Sequence, residues 1–524
     1  NKVTPRIVCS IVASMVMASV WGQPIVTQPK LVLGVMIEGL SADQLNLLRA
    51  HMGEGGFNRL LTQGVTLDNI DYGAPLDPAA ASAMLFTGAT PAINGVDRST
   101  VYDASRQRNA SVYYDPTYRG LFVDQPLSPA SLLVSTIGDE VRINSDGVGL
   151  VYSIALNPEM ALAMAGHAAN SATWINDVTG SWATSTYYKE LPTPAQRANH
   201  YKPLSTRLDT MAWEPLLPLS TYSDIPQHRR AYPFRVIFPK KDTNRYKAFN
   251  ASPLANADVT SLALEYLRNL HLGEDNDVDM LSLSYSLAPY PYGKDGDTRA
   301  MRNDAYIRLD RDLETLFNAI DKGPGLDNTV VFVAGTPART RTRRDDQRWQ
   351  IPYGEFSVRR AQTLLNAFLM AKYGNGDWIN AFDNKQIHLN RRLIEQRGID
   401  IDEMRGEAAD FIAKMSGITS ATSIDRILSG KDNNYNSNFI ALQHSADIYY
   451  ALAPGWEITE ADGSSQNLVE RLVSTTAPCY ILAPGINPQR ISSTVDARAV
   501  TPTITGQLRI RAPNASATPA IVIE

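Results

Sequence analysis

Leu31-Val-Leu-Gly-Val-Met-Ile37 is an unbroken apolar run that stops at Glu38 and is followed by Gly39-Leu40-Ser41. A run of this length, rich in branched residues and closed by a turn, reads as a strand buried on both faces, as in parallel sheets. Runs of the same kind recur at 149–156 (GLVYSIAL), 278–285 (VDMLSLSY), 329–334 (TVVFVA) and 479–483 (CYILA). Helical patterns lie between them. Ser41 can cap a helix through Leu45, Leu47 and Leu48, and Asn256 opens another with Leu262, Leu264, Tyr266 and Leu267. Residues 297–320 carry Tyr306, Leu309, Leu313, Leu316 and Phe317 at helical spacing, with Gly323 as a stop. The alternation predicts an α/β sandwich: a central, mostly parallel sheet with helices on both faces.

The chain has 524 residues, 44% hydrophobic and 20% charged, which excludes a disordered, collagen-like or coiled-coil chain. Its formal net charge of -5 gives no basic excess to recruit nucleic acid. The two cysteines, Cys9 and Cys479, are too few and too far apart for a disulfide framework or a thiolate zinc site. Lys2 and Arg6 precede a short apolar stretch, 7–20, and Trp21-Gly-Gln-Pro24 follows. This pattern reads as a signal peptide over 1–22, too short for a comfortable membrane span, with 23–524 as one mature domain. Two segments break the strand–helix alternation and read as inserts: about 170–255, rich in Pro, Tyr and Trp, and about 338–440, with helical pieces that suggest a cap.

Several phrases are familiar in their order. They include Gly53-Glu-Gly-Gly-Phe-Asn-Arg-Leu-Leu, Phe86-Thr-Gly-Ala-Thr-Pro-Ala-Ile-Asn-Gly-Val, Ala165-Gly-His-Ala-Ala-Asn-Ser-Ala-Thr-Trp, Asn303-Asp-Ala-Tyr-Ile-Arg-Leu-Asp and Asp496-Ala-Arg-Ala-Val-Thr-Pro-Thr-Ile. Over roughly residues 30 to 515 the chain resembles the alkaline phosphatase superfamily, and most of all its monomeric bacterial periplasmic branch with a Thr nucleophile. The resemblance implies a sandwich with a crown of inserted segments. It also implies two zinc ions about 4 Å apart that clamp the attacking and leaving oxygens, a hydroxyl nucleophile at a helix N-terminus, and cationic or amide groups on the phosphate.

Carried over position by position, that machinery is missing. The first metal-binding carboxylate falls on Glu38, and the nucleophile falls on Pro78. The next Asp and His fall on Pro289 and Gly293, an Asp-His dipeptide on Gly335 and Thr336, and a late His near Asn467. The phosphate-side Lys and Arg fall on Asn157 and Glu159, and the phosphate-binding Asn near Ser99. Zinc is therefore expected for the family, but its ligands are absent here. The residues alone agree: the seven histidines include no HExxH motif, and none ends a strand beside a carboxylate. Asp77-Pro78 reads instead as an N-cap followed by proline at the first helical position.

Other features have two readings each. Arg339, Arg341, Arg343 and Arg344 could grip an anion, or form a solvated loop balanced by Asp345 and Asp346. Tyr285, Tyr290 and Tyr292 with Pro289 and Pro291 could form a docking surface, or fill the space left by the metals. Together these observations point to a secreted, catalytically inactive phosphatase-like protein without a cofactor, binding or scaffolding in the periplasm. Its partner would be an envelope protein or complex, with any membrane association made through that partner. The alternative is a phosphomonoesterase or phosphodiesterase with a relocated site built on Glu38, Asp43, Asp77 and the arginines.

Overall fold

The computed structural model describes residues 28–293, 298–337, 339–343, 354–383, 385–459 and 468–523. The segment read as a signal peptide lies outside them. The principal strands are β1 (Leu31–Glu38), β2 (Val65–Asp71), β3 (Val151–Ala155), β4 (Ser171–Ile175), β5 (Trp182–Ser185), β6 (Asp279–Ser286), β7 (Thr329–Gly335) and β8 (Thr476–Leu482). They form one large sheet in the order β2-β8-β7-β1-β6-β3-β4-β5, with short edge strands outside β2 and β5. β7, β1, β6, β3 and β4 run parallel. β8 is antiparallel to both β7 and β2, and β5 is antiparallel to β4.

Two expectations change here. The run at 479–483 is buried as expected but points the other way, because an apolar run reports burial on two faces and says nothing of direction. The parallel set also includes β4, whose sequence SATWI is too polar to stand out and which falls inside the segment read as irregular.

The helices that matter below are α1 (Ala42–Leu48), α2 (Pro78–Thr87), α3 (Ile137–Asn144), α4 (Pro158–Ala165), α5 (Pro253–Asn269), α6 (Arg299–Lys322), α7 (Val358–Tyr373), α8 (Ile401–Ile412) and α9 (Val500–Leu508). Alternation along β1 shows how the sheet is sandwiched. Val32 and Met36 join a core with Phe86 of α2, Ile137 of α3, Met164 of α4 and Ile504 of α9. Leu31, Leu33, Val35 and Ile37 join the opposite core with Leu45 of α1, Tyr266 of α5, and Leu313 and Phe317 of α6. Each such fully buried side chain contributes roughly 1.5–3 kcal/mol. Gly34 leaves room for aromatic packing, since a Cβ there would lie 2.6 Å from Phe332 Cζ. The Phe332 ring packs on Phe86 at 5.5 Å between centroids.

Much of the 170–255 segment is packed as well: Leu191, Tyr222, Phe238 and Phe249 enter the second core. A smaller core holds Phe356, Trp378, Met404, Ile448 and Tyr450, with Trp456 packed against it. It lies under α7 and α8 and a four-stranded antiparallel sheet, Ile379–Asp383, Gln386–Leu389, Ile448–Leu452 and Ile418–Ser423 in that order. Among the described residues no helix is long and apolar enough to cross a membrane.

Candidate functional site

Parallel register places the strand tips side by side: Glu38 pairs with Ser286 at the end of β6, and Ile37 with Gly335 at the end of β7. Glu38 is held there. Its Oε2 accepts from the Ser286 hydroxyl at 3.1 Å. Ser286 is itself fixed by Asn256 of α5, which accepts from the Ser286 N–H at 3.0 Å and donates to its carbonyl at 2.9 Å.

The tip of β7 is closed by packing. The fully buried Tyr72 donates its hydroxyl to the Gly335 carbonyl at 2.8 Å. A Cβ on Gly335 would meet the Cβ atoms of Ala477 and Leu40, both at 3.1 Å, and Pro478 Cδ at 3.3 Å. The Thr336 hydroxyl is buried with no hydrogen-bond partner among the described residues. Pro289 is exposed, Gly293 is half-buried, and neither offers a side-chain donor. The aromatic–proline patch divides. Tyr285 is fully buried, its hydroxyl 2.9 Å from that of Thr260. Tyr290 stacks edge-on to Trp213 at 5.2 Å. Tyr292 stays on the surface.

The helix end is equally committed to structure. Asp77 caps α2 and Pro78 occupies its first turn. Asp77 Oδ1 accepts from the Ala80 N–H at 2.9 Å and Oδ2 from the Ser99 N–H at 2.6 Å. The helix dipole therefore meets a carboxylate of its own chain, and Pro78 offers neither a hydroxyl nor an N–H. The nearest helical hydroxyl, Ser82, bonds back to the Pro78 carbonyl at 2.7 Å. Asn157 caps α4, accepting from the Met160 N–H at 2.9 Å.

Glu159, in the first turn of α4, is the residue whose surroundings say most. Burial pushes its carboxyl above the usual range against a hydrogen bond from Ser111, and the charges of Asp77 and Asp177 add to the rise. The same two acids, Glu159 and Asp77, raise the buried Tyr113 beyond what burial alone does. Two carboxyl groups thus face the place where the resemblance puts a phosphate dianion, and like charges disfavour one another there. This signal was partly legible: Asn157-Pro158 has the same cap-and-proline form as Asp77-Pro78. Tyr72 carried no signal, since its partner lies far along the chain.

Arg339, Arg341 and Arg343 lie on a short strand, Arg339–Arg343, paired antiparallel with Leu468–Val473. The described part of the basic run, 339–343, is therefore a strand, which alternation with threonine suits. Arg344 and Asn467 lie outside the described residues. Asp43 is exposed in the first turn of α1.

Zinc does not fit the donors at the strand tips. Glu38 is the one carboxylate among the matched metal-ligand positions and is already bonded to a hydroxyl, and a Cβ on Gly335 would be crowded at 3.1 Å by Leu40 and Ala477. Among the described residues no three His, Cys, Asp or Glu groups converge in a way that could hold a metal ion. His167 is used elsewhere, bridging Asp139 at 3.0 Å and the Leu132 carbonyl at 2.9 Å.

The profile of the type I phosphodiesterase / nucleotide pyrophosphatase family matches residues 32–475. Alkaline phosphatase PhoV of Synechococcus elongatus is 26% identical over 511 residues, spanning 94% of this chain and 92% of PhoV. Alkaline phosphatase PafA of Elizabethkingia meningoseptica is 26% identical over 516 residues, spanning 93% of each chain. A crystal structure of alkaline phosphatase PafA bearing four substitutions, 25% identical, superposes with a TM-score of 0.81 over 95% of this chain and 100% of that one.

Proposed function

From its place in the type I phosphodiesterase / nucleotide pyrophosphatase family, to which this chain belongs and which lies within the alkaline phosphatase superfamily, we propose that the protein keeps the hydrolase frame as a binding protein of the cell envelope and does not transfer phosphoryl groups at the family position. One observation carries this reading: α2 begins with Asp77 and Pro78 where an attacking hydroxyl belongs, and Glu159 stands beside them.

Phosphoryl transfer rests on positioning and on compensating the negative charge of the group in flight. Here Asp77 takes the Ala80 N–H at the helix start, the proline cannot attack, and the neighbouring carboxyl repels the substrate. Deletion of a single element would slow such a site; loss of nucleophile, clamp and metal ligands together removes each source of rate. The unused frame would then serve recognition in the periplasm, after removal of residues 1–22, with an envelope protein or complex as partner. The test is turnover of p-nitrophenyl phosphate by the purified full chain with and without added zinc. Turnover at the level of the buffer blank supports the reading, and robust turnover abolished by a chelator overturns it.

A second reading has its own support. Both relatives are named alkaline phosphatases, the family is one of phosphoric ester hydrolases, and these comparisons favour hydrolysis over inactivity. On that reading the chain is a phosphomonoesterase or phosphodiesterase with a relocated site built on Glu38, Asp43, Asp77 and the arginines. Turnover by the parent that falls sharply in Asp77→Ala and Glu38→Gln variants would favour it.

A further inference from the structure

The cap meets the sandwich along a seam that is tied by polar groups and incompletely filled, with a cavity of about 440 Å³ lying along it. On the sandwich side stand the Asp97–Arg98 pair and the hairpin of residues 100–111. On the cap side are the strand Gln386–Leu389, which carries His388, and the segment 440–447, which carries His444 and leads into Ile448–Leu452. We propose that this seam is an acid-sensitive latch: proton uptake by His388 and His444 loosens the cap from the sandwich while each part keeps its own core.

Hydrogen bonds tie the two sides together. Asn109 donates to Asp383 Oδ1 at 2.9 Å, and the Ala441 N–H donates to Asp97 Oδ2 at 3.2 Å. The Gln443 amide donates to the Gly95 and Ser131 carbonyls at 2.9 and 3.1 Å. The Tyr102 ring packs on His388 at 4.8 Å between centroids. The cap has an apolar core of its own, built on Phe356, Trp378, Met404, Ile448 and Tyr450, so the seam can part without opening that core.

Both histidines are placed where a proton is unwelcome. His388 is 7% exposed, and its Nε2 is buried with no hydrogen-bond partner among the described residues. Nε2 of the half-buried His444 is buried and unpartnered in the same way. An imidazolium would put a charged donor at each of these atoms with nothing to accept from it. Burial lowers both imidazoles, His388 to about 4. For His388, Asp447 opposes while Arg98 and Arg391 add; for His444, Asp97 and Asp103 oppose while Arg98 adds. Arg98 thus acts on both rings from the sandwich side, fixed there by two bonds to Asp97 at 3.0 and 3.1 Å. Asp447 is already committed to Arg391 at 3.0 Å, Arg405 at 2.8 Å and the Leu389 N–H at 2.8 Å. Asp103 is committed to the Ser105 hydroxyl at 2.6 Å. Arg392, exposed on the cavity wall, has the same sign as Arg98. Asp383 works the other way: burial raises its carboxyl, against Asn109 and Arg98, so acid favours its docked form.

The sign follows from the two histidines. A released imidazole takes up its proton at about 6.5. With His388 at about 4 when docked, the docking constant at pH 5 falls about thirtyfold below its value at pH 8, and His444 acts in the same direction. The latch is shut at neutral pH and loosens as pH falls through about 6.5. None of this depends on whether the strand tips are active.

Hydrogen-exchange mass spectrometry of the full chain at pH 8 and pH 5, corrected for the intrinsic pH dependence of exchange, tests the latch. Peptides covering 100–111 and 440–447 should lose at least about tenfold in protection at pH 5, while peptides of β1 and β6 keep theirs. A variant carrying both His388→Gln and His444→Gln, checked for an unaltered unfolding midpoint at pH 8, should keep its seam protection at pH 5. If that variant does not fold, the two profiles of the parent decide. Equal seam protection of the parent at both pH values, a loss shared equally by β1 and β6, or the same loss in the folded double variant would each overturn the proposal. Turnover of p-nitrophenyl phosphate, present or absent, bears only on the strand tips.

Discussion

Restoring a carboxylate at the tip of β7 should break the protein before it restores any metal site. In Gly335→Asp the new Cβ would sit 3.1 Å from the Cβ atoms of both Leu40 and Ala477 and 3.3 Å from Pro478 Cδ, so these neighbours must give by a few tenths of an ångström. Overpacking of that kind costs about 1–3 kcal/mol. The carboxylate then enters a tip closed by these apolar atoms and by Tyr72, whose hydroxyl is committed to the Gly335 carbonyl. A buried carboxyl without compensating partners adds a further cost of about 1–3 kcal/mol even when it is protonated. The sum is about 2–6 kcal/mol, or roughly thirtyfold or more in the folding constant. Urea unfolding at unchanged slope reads it as a fall in midpoint. Gly335→Ala supplies the crowding without the charge and should fall between Gly335→Asp and the parent. An Asp variant as stable as the parent, or one whose midpoint rises when zinc is added, would refute the claim that this tip is closed.

Tyr72→Phe leaves the buried Gly335 carbonyl without its donor and should cost about 1–3 kcal/mol in the same assay. Asp77→Ala removes the cap of α2 and the tie to Ser99 and should cost about 1–2 kcal/mol, without lowering turnover of p-nitrophenyl phosphate below its parental level; a large fall in turnover would identify Asp77 as a working group. Two histidines give pH dependences of opposite sign. Burial lowers His388 to about 4, with Arg98 and Arg391 adding and Asp447 opposing. The unfolded imidazole takes up its proton below about 6.5, so stability should fall as pH drops from there towards 4; His388→Gln should flatten that limb. His167 is raised by its hydrogen bond to Asp139, so its contribution is full below about 6.5 and is lost as pH climbs through the raised value. An unfolding series across this range in a His167→Ala variant should lose that alkaline limb.

The parts of the fold that could be read from sequence are those set by local rules. β1, β3, β6 and β7 announce themselves as apolar runs because both their faces are buried, and Asp77-Pro78 announces α2 because a cap and a first-turn proline are local chemistry. β4 was missed because its five residues carry polar atoms that pair in the buried interior, as Thr173 does with the Tyr266 hydroxyl of α5 at 2.9 Å. The direction of β8 and the strand made by Arg339–Arg343 depend on partners more than a hundred residues away. At the site, the resemblance puts Pro78 and Glu159 where a nucleophile and a clamp are expected. That the tip of β7 is closed by Tyr72, Leu40 and Ala477 is a fact of packing and leaves no mark on the sequence.

Metal content of the purified full chain, measured by plasma mass spectrometry after incubation with excess zinc and removal of loosely held ions, bears on the central claim without an intermediary. Well under one zinc per chain is the predicted result, because among the described residues no three His, Cys, Asp or Glu groups converge to hold a metal ion. Two retained ions per chain, released by a chelator together with esterase turnover, would contradict it.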